Sequence, residues 1–72
     1  MKTYVLNIWI VGQHLNDAPW YKGIIESANA QEALEDVTKA MRNPSLVLTL
    51  WPSSGGPVSA VSGSKILWAT AM

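Results

Sequence analysis

The sequence predicts a small α+β domain of order β-β-α-β-β, a four-stranded, mostly antiparallel sheet with one helix packed on one face. Three observations predict it. Runs dense in β-branched and aromatic residues recur in both halves of the chain. A segment near the middle carries the apolar rhythm and the cap of a helix. Gly, Pro, Asn and Asp, each a turn former for its own backbone reason, separate these pieces.

Residues 3–11 read as the first strand, with Tyr4, Leu6, Ile8 and Ile10 on one face and Val5, Asn7, Trp9 and Val11 on the other. Both faces are largely apolar, which suits a central strand covered on two sides. Residues 12–19 form a connection, and 20–27 read as a second strand pairing back on the first, mixed in character as an edge strand would be. Asn29 followed by Glu32 matches a helix start, and Ala30, Ala33, Leu34, Val37, Ala40 and Met41 keep to one helical face. Glu35 and Lys39 form a favourable pair on the outer face, and Asn43-Pro44 ends the helix, placed at 30–42. Residues 45–51 read as a third strand and 64–70 as a fourth. The loop 52–57 is bracketed by prolines, and 58–63 could be a strand start or loop. The expected strand order is 2-1-3-4.

Seventy-two residues make one domain with a thin margin of stability. There is no cysteine and only one histidine, so disulfides, thiolate metal sites and histidine-rich metal sites are excluded; no metal and no cofactor are expected. Association is the reinforcement left. Five basic against five acidic side chains give zero formal net charge, which argues against nucleic acid and against an anionic membrane surface. A bilayer span needs about 20 apolar residues. No segment reaches that, and 4–12 is interrupted by Asn7 and lacks a cleavage site, so neither anchor nor leader is expected. The lack of cysteine fits the cytoplasm.

A helix over 30–42 is about 20 Å long and about 10 Å wide, and covers only part of one face of a sheet roughly 19 Å across. The far face would then carry Val5, Trp9, Val11, Val47 and Trp51. On the last strand, either parity leaves Trp68 with Ile66, or Leu67, outside. Apolar patches beyond a few hundred Å² are unusual on monomers. A second copy stacked on that face would cover it; so would a folded-back 58–63 segment or a curled sheet.

Trp9, Trp20, Trp51 and Trp68 are many for so short a chain, and tryptophan is enriched where proteins grip one another. The expected protein-binding set is Val5, Trp9, Val11, Trp20, Tyr21, Val47, Trp51 and Trp68. His14 with Asp17 is the only acid–base candidate, and no nucleophile is spaced to join it, so it reads as a loop histidine and no enzyme is expected. Ser53-Ser54-Gly55-Gly56 precedes a strand rather than a helix, unlike a phosphate-cradling loop. Exposed aromatics near Lys65 could stack RNA bases, against which the balanced charge speaks. These features point to a protein-binding module, homodimeric, accessory or inhibitor-like, of the kind phages and mobile elements encode. The alternative is a small-ligand binder with a pocket between subunits using Asn7, Thr49 and Tyr21; a small dimeric enzyme ranks below both.

Overall fold

Lys2–Ile10 forms β1, and its two apolar faces put it in the middle of a sheet, between β2 (Tyr21–Ser27) and β5 (Ile66–Ala71). This computed structural model describes residues 1–51 and 58–72. Both pairings are antiparallel, with Tyr4 opposite Ile25 on one side and Leu6 opposite Ala71 on the other. The helical stretch follows β2 as α1 (Ala30–Ala33) and α2 (Glu35–Arg42), and β3 (Val47–Leu50) pairs antiparallel with β4 (Ser59–Ser62) in a separate two-stranded sheet. A 3₁₀ turn at Gly63–Lys65 leads into β5.

Two expectations are corrected here. The described residues form no single four-stranded sheet, and the order is 2-1-5 beside a separate β3-β4 pair rather than 2-1-3-4. The cause lies at 58–63, where the sequence left strand or loop open. Ser59–Ser62 is a strand and takes β3 as its partner, freeing the last strand to bind β1. Its amphipathic signal is faint, because Val61 is its only large inward residue. The loop 52–57 and the Ser53–Gly56 motif lie outside the described residues.

The helix begins where the sequence places it. The Asn29 side chain accepts the Glu32 backbone N–H at 2.8 Å, and Glu35 meets Lys39 at 3.2 Å one turn apart. It is interrupted at Leu34, whose backbone N–H is shared between the carbonyls of Ala30 and Gln31, so α1 and α2 are separate elements. With α1 so short, the cap carries much of it. Asn29→Ala should lower stability by about 1 kcal/mol, read as a shift in the urea midpoint at unchanged slope.

The core has three walls. Leu6 and Ile8 come from β1 and Ile66 from β5; Val37 and Ala40 come from α2; Leu50 and Val61 come from the β3-β4 pair. The small sheet thus lies beside the helix and closes the side that one helix leaves open. Leu6, Ile8 and Ile10 face the core as strand parity expects; of the leucines that parity turns inward on the third strand, Leu48 and Leu50 reach it, whereas Leu46 at the entrance to β3 is exposed.

The last strand resolves its own ambiguity with a bulge. Trp9 faces Trp68 and Ile10 faces Ile66, so Leu67 is an extra residue with no opposite number. Without it, Ile66 and Trp68 would share a face. With it, Ile66 enters the core while Trp68 stays outside.

Candidate protein-contact face

The face of the three-stranded sheet turned away from the helix is built from alternate residues of each strand. β1 contributes Val5, Asn7 and Trp9; β2 sets Ile24 opposite Val5 and Lys22 opposite Asn7; β5 sets Thr70 opposite Asn7 and Trp68 opposite Trp9. The indoles of Trp9 and Trp68 stack with centroids 4.9 Å apart and planes at 29°. Asn7 lies among these side chains with little exposure, and its Nδ2 donates to the Thr70 Oγ1 at 3.4 Å. Ile24 is 62% exposed and Trp68 37%. No described segment folds over this face: 58–63, one candidate cover, runs along β3 instead.

The connection 11–20 adjoins this face and is held in shape by its own polar groups. Trp9 Nε1 donates to the Asp17 carbonyl at 2.8 Å, tying the stacked indole to the loop. The Gln13 side chain accepts the Ile10 N–H and donates to the Ala18 carbonyl, each at 2.9 Å. The Asp17 carboxylate accepts the His14 backbone N–H at 2.8 Å. Gly12 turns the chain with φ of 101°, a conformation that side chains rarely adopt. Val11 and Leu15 remain exposed on this frame. A surface already ordered when free loses less entropy on binding. His14 meets the Asp17 carboxylate through its backbone N–H and not through its imidazole.

The eight expected contact residues do not form one surface. Val5, Trp9 and Trp68 share the far face of the sheet, Val11 lies on the adjoining loop, and Trp20 stands just before β2. Val47 lies on β3 of the separate β3-β4 pair and Trp51 just beyond its end, 63% and 72% exposed. Tyr21 is turned inward, packed against the core, because it pairs with Ile8. Its ring runs along the strand over Gly23, where a β-carbon would collide with it, and its hydroxyl donates to the Trp51 carbonyl at 3.1 Å. Tyr21 therefore links the two sheets. Ile24 was missed. Its parity with Lys22 was readable, but its place opposite Val5 depends on hairpin register, which a connection as long as 11–20 does not fix.

A cleft of about 230 Å³ opens between β2, α2 and β3, lined by Leu6, Tyr21, Ile25, Val37, Leu48 and Leu50 among others. That is below the ~300–1,000 Å³ usual for small-molecule sites. No helix among the described residues is long and apolar enough to cross a membrane. Set against protein-family models, curated proteins and solved structures, the chain matches none of them.

Proposed function

We propose that this chain is a small protein-binding module, accessory or inhibitor-like, that works as a homodimer and grips its partner through the far face of the three-stranded sheet. One observation carries the reading: the Trp9 and Trp68 indoles stack on this face with Trp68 partly exposed, and Trp9 is tied to a loop already fixed by hydrogen bonds. An ordered aromatic pair in an apolar setting is the kind of anchor around which protein interfaces concentrate their energy. Balanced charge leaves the recognition to shape and apolar contact.

The test is affinity capture from native lysate with the native chain and with Trp68→Ser, whose side chain is outside the core. The native chain should return a stoichiometric partner. The variant should keep its fold and lose roughly thirtyfold in affinity, the effect of removing a hot spot worth about 2 kcal/mol. An empty capture, or a folded variant binding as tightly as the native chain, would overturn the reading.

A further inference from the structure

The two edges of the three-stranded sheet differ. Val5 and Met72 exchange both backbone bonds, at 2.8 and 3.1 Å. Antiparallel ladders alternate, so Asn7 and Thr70 form the next exchanging pair, while Leu6–Ala71 and Ile8–Ala69 do not exchange. The N–H and C=O of Ala69 and Ala71 therefore point outward from β5, and no backbone group among the described residues meets them. On the opposite edge, β2 carries Lys22 and Glu26, charged side chains of the sort that blunt an edge. From Ile66 to Met72 there is no charged side chain and no proline.

We infer that a second copy of this chain pairs with β5 along this edge, antiparallel, about a two-fold axis at Thr70. Ala69 then exchanges both backbone bonds with Ala71 of the second copy, and Ala71 with its Ala69. The alanines are small enough to let the strands approach. Thr70 meets its own copy across the axis, a favourable cross-strand pair. Trp68 comes opposite Met72 of the second copy, thioether against indole. The uncharged strand meets itself without repulsion, and the sheet becomes continuous through both copies. The far faces join, extending the Trp9–Trp68 stack and leaving it open to a partner. The inference deepens the homodimeric part of the proposed function, on which it rests, and replaces face-to-face stacking by edge pairing.

The test combines sedimentation equilibrium with residue-resolved amide exchange on the full chain, the latter needing no substitution. The native chain should sediment as a dimer, and the Ala69 and Ala71 amides should exchange as slowly as those of Leu6 and Ile8. Ala69→Pro removes an outward donor that the lone protomer does not use; it should keep the helical circular dichroism and sediment as a monomer. Val47→Ala, on the separate β3-β4 sheet, should leave the dimer intact. A monomeric native chain, a dimer whose Ala69 and Ala71 amides exchange freely, or a folded Ala69→Pro dimer overturns the inference. If Ala69→Pro fails to fold, the exchange pattern of the native dimer decides. A monomer that still captures a protein through Trp68 overturns the edge pairing alone. An edge-paired dimer that captures nothing overturns the binding reading alone.

Discussion

Gly63→Ala should be among the most damaging single substitutions in the chain. A β-carbon at Gly63 would overlap the carbonyl oxygen of Ala40 and come within 2.6 Å of its carbonyl carbon. Both atoms are helix backbone, so no side chain can swing aside. The Gly63 N–H also donates to the Leu46 carbonyl at 2.9 Å, which pins the 3₁₀ turn between the end of α2 and the entrance to β3. Relief requires the turn to move, and with it both β4 and β5. Forced overpacking of this kind costs about 3 kcal/mol or more. That is over half of a margin of about 5 kcal/mol, and corresponds to roughly 15 °C in Tm for a domain of this size. Thermal unfolding followed by circular dichroism measures it. Gly12→Ala is the control: nothing lies within 4 Å of its β-carbon, and only the backbone conformation resists, for about 1 kcal/mol. Equal losses in the two variants would mean that close approach at Gly63 is not what demands glycine.

Ile8→Ala should come close to unfolding the domain. Ile8 is 0% exposed and stands in the middle of β1, the strand both neighbours depend on. Its side chain belongs to the one cluster that joins the sheet to Val37 and Ala40 of α2 and to Leu50 and Val61 of the smaller sheet. Truncating a buried isoleucine removes about 2–5 kcal/mol, the upper end applying where the walls cannot close in. Here the walls are strands and a helix held by their own hydrogen bonds. Urea unfolding should show a midpoint near zero denaturant, against a change within about 0.5 kcal/mol for Val47→Ala on the outer side of β3. A midpoint barely shifted by Ile8→Ala would show that the three walls do not share a single core.

Local signals in the sequence translate directly into structure. The Asn29 cap, the α2 face formed by Val37 and Ala40, and the split of β1 into a core side and an outer side all follow from spacing within a few residues. What spacing does not reveal is pairing between distant segments. Ser59–Ser62 is too poor in large residues to announce itself, yet it settles which strand stands beside β1. Ile66 and Trp68 end on opposite faces only because Leu67 bulges out, and a bulge leaves no mark in an alternating pattern. Tyr21 shows the same limit. Its residue type suited a contact surface, but the register with Ile8 turns it inward, where its hydroxyl bridges to Trp51. Of the candidate face, Val5 and Trp9 were legible from strand parity; the stack itself, and the tie from Trp9 to Asp17, required the folded chain.

The ladder from Val5–Met72 to Val11–Lys65 has a bearing on how the molecule is born. While a ribosome is still making the chain, β1 can find β2 within moments, but its other flank must wait until residues 66–72 have left the exit tunnel. Throughout that interval a greasy, half-finished layer is bare, open to chaperones or to the wrong neighbour. Such long-range closure also slows folding relative to helical proteins of the same length.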